Sequence, residues 1–121
     1  MAKFWYKYEL DNDETIILEQ GGRRKFYSKW IKNELGTSWI IGRCYLTNKR
    51  FTYLCVNRKP EYAFEITLDK IADVEIIRPP PLITLKPGFA LTTNEGRYEE
   101  FFAGRLNDSK KWVNEISKRI W

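Results

Sequence analysis

Ten basic side chains lie between positions 23 and 59: Arg23, Arg24, Lys25, Lys29, Lys32, Arg43, Lys49, Arg50, Arg58 and Lys59. Glu34 is the single acid among them. This block carries +9, whereas residues 1–22 carry −3, residues 60–104 carry −4 and residues 105–121 carry +3. Guanidinium and ammonium groups hold phosphate and carboxylate by charge-assisted, partly bidentate hydrogen bonds. The chemistry to expect is therefore capture of an anionic partner. Arg23-Arg24-Lys25, followed by Lys29, is the densest group and the candidate ligand set for an anionic headgroup. Near an anionic bilayer each such side chain contributes about 1 kcal/mol. The competing reading is a solvated surface that offsets the acidic strands elsewhere in the chain.

Other chemistries lack their parts. The chain has no His, so a Cys or Ser nucleophile would lack its usual base, and the acids are scattered without an evident pairing. Gly21-Gly22 is not a phosphate cradle. No catalytic residue and no enzyme activity are expected. Cys44 and Cys55 have neither a His nor a third Cys to complete a metal site, and no cofactor is implied. Basic charge interleaved with Phe26, Tyr27, Trp30 and Trp39 resembles a nucleic-acid stacking platform. A β core needs aromatics too, however, and no RNA-binding motif is visible.

These side chains must be positioned by a single domain, since 121 residues bury one core and not two. No apolar run of about 18 residues could span a bilayer. Residues 1–8 lack the apolar stretch and cleavage site of a secretory signal. The expected compartment is the cytoplasm, with peripheral attachment to a membrane surface as the other expectation. The strand signals are Thr15–Leu18, Lys25–Ile31, Trp39–Leu46, Phe51–Val56, Tyr62–Leu68, Val74–Ile77, Phe89–Thr93 and Arg97–Phe102. Gly21-Gly22 reads as the first turn, and Gly96 is placed for positive φ in the tip at 94–96. A helix is expected from about Asn107 to Arg119, with Trp112, Val113, Ile116 and Ile120 on one stripe and Asn107 or Asp108 as its cap.

The stretch from Gly42 to Cys55 reads as a β-hairpin with Thr47-Asn48-Lys49-Arg50 at its tip. With Asn48-Lys49 as the turn, Leu46 faces Phe51 and Cys44 faces Tyr53. Cys55 then lies diagonal to Cys44, at roughly 7–8 Å between Cα atoms, which suits two buried free thiols better than a disulfide. The hairpin resembles the hallmark of the GRAM branch of the pleckstrin-homology (PH)-like superfold: a Gly, two strand residues, Leu-Thr-Asn-Lys-Arg and a hydrophobic strand. Ile66 to Val74 is similar to the segment that follows the motif in that family.

That resemblance covers nearly the whole chain from Glu14 onward. It implies a mainly β fold, an antiparallel PH-like β-barrel of about seven strands capped by a C-terminal helix, over residues 14–121 with an N-terminal arm at 1–13. It also implies a recognition module. In phosphoinositide-binding PH domains the first hairpin turn supplies the headgroup ligands, which here would be Arg23, Arg24, Lys25 and Lys29. The alternative is a module that binds a protein partner or a second copy of itself without lipid. Trp5, in an aromatic N-terminal segment, and Pro80 and Leu82, in a stiff apolar stretch, are the candidate membrane or partner contacts; each also reads as ordinary packing or a connector.

Overall fold

A computed structural model describes residues 8–25, 39–55, 63–77, 88–103 and 106–120. Seven strands follow in order: β1 (Ile16–Lys25), β2 (Trp39–Thr47), β3 (Arg50–Cys55), β4 (Phe64–Thr67), β5 (Ile71–Ile77), β6 (Gly88–Thr93) and β7 (Tyr98–Ala103). A single 3-10 turn (Leu68–Lys70) joins β4 to β5, and the helix α1 (Leu106–Ile120) comes last. Every strand pairing is antiparallel, in the order β4-β3-β2-β1-β7-β6-β5. The sheet is not closed by hydrogen bonds among the described residues: β4 and β5 remain its two edges.

The hairpin register is the expected one, with Leu46 opposite Phe51 and Cys44 opposite Tyr53. Alternation along each strand sends apolar side chains inward. Cys44, Leu46, Phe51, Tyr53 and Cys55 are all fully buried, and both cysteines are free. Phe51 is the hub of the core. Its ring centroid lies 4.8 Å from Phe101, 5.8 Å from Phe89, 5.9 Å from Trp112 and 6.3 Å from Phe64. Tilted and edge-on packing of this kind suits the ring quadrupoles. Trp112 of α1 lies parallel to Phe89 at 5.5 Å and donates its indole N–H to Gln20 Oε1 at 2.8 Å. Ile116 is buried one helical turn on, while Val113 and Ile120 pack at the margin of the core. Gly96 takes φ 88° in the β6–β7 turn, as its placement there requires.

The structure corrects the reading of the first turn. Gly21-Gly22 does not turn: β1 runs straight through it, with Gly21 opposite Arg43 and Gly22 opposite both Gly42 and Ala103. The reason is the nine-residue β2, which offers a ladder partner along the full length of β1. Pairing with β2, and at Gly22 with β7 as well, outweighs the turn preference of the dipeptide. Residues 16–18 and Lys25 thus belong to one strand; the rest of the expected second strand, 26–31, lies outside the described residues. Asp69-Lys70 falls in the 3-10 turn, and β5 starts at Ile71, three residues before the expected Val74. The helix begins at Leu106, so Asp108 sits inside its first turn instead of capping it.

Candidate functional site

β1 places its basic residues on opposite faces. Arg23 pairs across the sheet with Ile41 on one side and Phe102 on the other, and is exposed. Ile41 beside it is 55 % exposed. Arg24 turns inward, one step further along the face that carries Gln20 and Gly22. Its Nη2 donates to Glu99 Oε2 at 3.0 Å and its Nε to the same oxygen at 3.3 Å. Its Nη1 donates to the carbonyl of Ala63 at 3.1 Å, and the guanidinium lies 5.0 Å from the Phe64 ring. Burial lowers the affinity of Arg24 for its proton, and the Glu99 carboxylate partly offsets this. Arg97 Nε reaches the other oxygen of Glu99 at 2.6 Å, and its guanidinium also lies over Phe64, at 5.3 Å. Two guanidinium groups thus share one carboxylate and one ring.

Of the four residues read as headgroup ligands, Arg24 is therefore a buried side chain held by Glu99 and not an exposed donor on a loop. Arg23 and Lys25 lie on a strand and not at a turn; nothing is described of the Lys25 side chain, and Lys29 lies outside the described residues. Trp5, Pro80 and Leu82 lie outside them as well.

The basic pair of the hairpin tip is also spoken for. Arg50 Nε and Nη2 donate to the two oxygens of Glu14 at 2.8 and 2.9 Å, Nη1 donates to Glu65 at 2.7 Å, and Nη2 also reaches the carbonyl of Glu9 at 2.7 Å. Thr47 Oγ1 donates to Glu14 Oε2 and accepts the N–H groups of Lys49 and Arg50 at 3.1 Å each. Hydrogen bonds from Arg50 hold the Glu14 carboxyl down at about 2 despite its burial. Lys49 pairs with Asp13 and lies 3.8 Å from Asp11; its bond to Asp13 raises its proton affinity. Asn48 accepts the N–H of Thr15 at 2.8 Å and donates to the carbonyl of Asp13 at 3.1 Å. Tyr8 closes the cluster, stacked on Tyr45 at 4.3 Å, hydrogen-bonded to Thr52 at 3.1 Å and 5.0 Å under the Arg50 guanidinium. The Asn-Lys-Arg of the hairpin signature thus fastens residues 8–15 to the sheet.

Arg24, Arg43, Lys49 and Arg50 are all in ion pairs, Arg43 with Glu19 at 3.6 Å. The remaining basic residues of the block are Arg23 and Lys25 on β1, Lys29 and Lys32 in the segment joining β1 to β2, and Arg58 and Lys59 in the segment joining β3 to β4. In an antiparallel meander those two connections leave from the same end of the sheet. Nothing local signals the pairings that removed the others. Arg24 lies 75 positions from Glu99, and Arg50 lies 36 from Glu14. Only the alternation Gln20, Gly22, Arg24, read through the two glycines, could have turned Arg24 inward in advance. Among the described residues no cluster of His, Cys, Asp and Glu could hold a metal ion, and no helix is long and apolar enough to cross a membrane.

No protein-family model and no curated protein matches this chain. Solved structures do. The chain is similar to the Vps36 N-terminal PH domain, at 19 % identity and a TM-score of 0.65, covering 93 % of this chain and 83 % of that one. It is similar to the C-terminal domain of an unknown protein from Leishmania infantum, at 13 % identity and a TM-score of 0.61, over 89 % and 86 % of the two chains. The linker-DH/PH domains of p115-RhoGEF match at 12 % identity and a TM-score of 0.62, over 91 % of this chain but 30 % of that one. These likenesses do not single out the GRAM branch. The fold of this chain is that of the PH-like domains.

Proposed function

We propose that this PH-like module is a non-catalytic recognition domain that binds anionic phospholipid headgroups at a membrane surface, through Arg23, Lys25 and Lys29. The observation that carries the reading is where the described charge is committed. Ion pairs absorb the basic residues at the β2–β3 tip and inside the sheet, whereas Arg23 is exposed. The other five belong to the end of β1 and to the β1–β2 and β3–β4 connections, whose sequence holds Glu34 and Glu61 as its acids. The ligand set of the sequence reading is kept without Arg24, whose side chain is committed to Glu99. Lys32, Arg58 and Lys59 add to the same field.

The test is vesicle co-sedimentation across phosphatidylcholine, phosphatidylserine and phosphoinositide mixtures. Arg23→Glu, Lys25→Glu and Lys29→Glu together are expected to weaken binding to anionic vesicles by on the order of a hundredfold. Binding by the unmodified chain should also fall steeply between low and physiological salt. Lys49→Glu serves as the control and should bind as the unmodified chain does. Equal binding by the triple variant would overturn this assignment. Salt-sensitive binding to RNA and not to vesicles would favour a nucleic-acid partner instead.

A further inference from the structure

Ile41 does not serve the core. Cys44 and Leu46 set one face of β2 into the interior, so Ile41, Arg43 and Tyr45 lie on the other. On β1 that outer face carries Arg23, Gly21 and Glu19, opposite those three in turn. Among the described residues Ile41 is the most exposed large hydrophobic, at 55 % against 42 % for Leu10 and 41 % for Tyr98. Gly21 accounts for much of this. It lies diagonal to Ile41, and a Cβ on it would meet nothing within 4 Å, so no side chain from that position covers the Ile41 stem.

The neighbour directly opposite Ile41 is Arg23, which is exposed and has the partly buried Phe102 on its other side. Arg23 has no described ion pair. Glu19, the acid of this face on β1, is engaged with Arg43 at 3.6 Å. A single exposed apolar residue is ordinary on its own. This one adjoins a member of the proposed headgroup set, and the pair stands beside the bare position at Gly21. An aliphatic group next to an unpaired cation fits an amphiphile better than a soluble anion.

We propose that the outer face of β1 and β2 meets the bilayer, with Ile41 entering the boundary between headgroups and acyl chains while Arg23 holds a lipid phosphate beside it. This rests on the headgroup reading and adds a requirement to it: the ligand is a phospholipid within a bilayer. A free headgroup lacks the hydrocarbon that Ile41 would meet. The open position at Gly21 leaves room for the Arg23 stem to lie along the sheet with its guanidinium at phosphate level. Burial of Ile41 adds an attraction that salt does not screen, on top of the charge attraction that it does.

The experiment measures binding of the full chain to phosphatidylcholine vesicles containing phosphatidylserine and a phosphoinositide, across a salt series. Ile41→Thr keeps the β-branched side chain a strand favours and should leave the thermal midpoint unchanged. It is expected to lose about tenfold in affinity at every salt concentration, with the steepness of the salt dependence unaltered. Ile41→Leu should bind as the unmodified chain does, and neither variant should change the affinity for a soluble inositol phosphate. Depth is read separately. Cys44 and Cys55 are buried, so a polarity-sensitive fluorophore can be placed on Ile41→Cys in the folded protein. Its emission should shift to the blue on these vesicles and be quenched by brominated acyl chains, whereas the same label on Lys49→Cys should do neither. Equal binding by Ile41→Thr and the unmodified chain, with Arg23→Glu still weakened, overturns this inference and leaves the headgroup reading standing. Loss of binding by Ile41→Thr with an unshifted, unquenched label at position 41 also overturns it. If the unmodified chain binds none of these vesicles, the headgroup reading fails and this inference with it.

Discussion

Arg24 and Glu99 meet across 75 positions of sequence, with side chains 4 % and 10 % exposed, and join the first strand's inner face to the last strand. Removing one partner strands a charge in a poorly solvated place. Arg24→Ala should cost about 2–4 kcal/mol in urea unfolding, the lower end reflecting the help that Arg97 still gives Glu99. Arg24→Met combined with Glu99→Leu should recover part of that loss, since two apolar groups leave nothing unpaired. A change within about 0.5 kcal/mol for the single variant would show that the pair does not hold the strands together.

Gly42 and Gly21, both within the sheet, face different surroundings. A Cβ on Gly42 would sit 2.3 Å from the carbonyl oxygen of Leu54 and 2.6 Å from the Tyr53 ring, whereas one on Gly21 would meet nothing within 4 Å. Gly42→Ala should destabilise by about 1–3 kcal/mol or more, because backbone and a buried ring must both yield. Gly21→Ala should be neutral or stabilise by up to about 1 kcal/mol through the unfolded chain. Thermal unfolding of the pair decides; equal effects would contradict the crowding at Gly42.

Trp112 fills the interior under the sheet, 1 % exposed and bonded to Gln20. Trp112→Ala should cost about 3–5 kcal/mol, and Trp112→Phe less, since the ring stack on Phe89 survives while the Gln20 oxygen loses its donor. Calorimetry would reveal a near-neutral Trp112→Ala, and that result would mean α1 does not pack on the core.

Acid sensitivity should centre on Glu14. Its carboxyl titrates at about 2 in the folded protein against an ordinary value of 4.5, so folding favours its ionised form. The stability this contributes is complete above the unfolded value and is lost as pH falls from about 4.5 through 2. Solvent access around Arg50 limits the size to about 1–2 kcal/mol. Glu14→Gln should be less stable near neutrality and lose less on acidification. Parallel stability–pH curves for the two proteins would remove Glu14 from that role.

Both thiols should react slowly in the folded state. Burial raises the Cys44 thiol well above its usual range, and Cys55 is fully enclosed. Labelling by a maleimide should proceed at the rate of opening and accelerate in urea. Mass spectrometry without reductant should find two free thiols, and a Cys44–Cys55 link would contradict the register of β2 and β3.

Much of the fold is legible in the chain because its signals are local. The Asn48-Lys49 turn, the alternation of Phe64 and Ile66, the Gly96 tip and the Trp112–Ile116 stripe each rest on neighbours within a few positions, where strand and helix periods are written directly. Gly21-Gly22 misled because a dipeptide's turn preference is weak beside a nine-residue partner strand that only the assembled sheet supplies. The basic block was equally visible as a count of charges, but the pairing of Arg24 and Arg50 was decided by partners dozens of positions away. Glu99 claims Arg24, and Glu14 claims Arg50. Strand period and turn chemistry are properties of the covalent neighbourhood, so the sequence alone determined the hairpin register, the β6–β7 turn and the apolar stripe of the helix. Charge pairing depends on distances that exist only after the strands have come together, so the tertiary structure decided that Arg24 and Arg50 are held by acids.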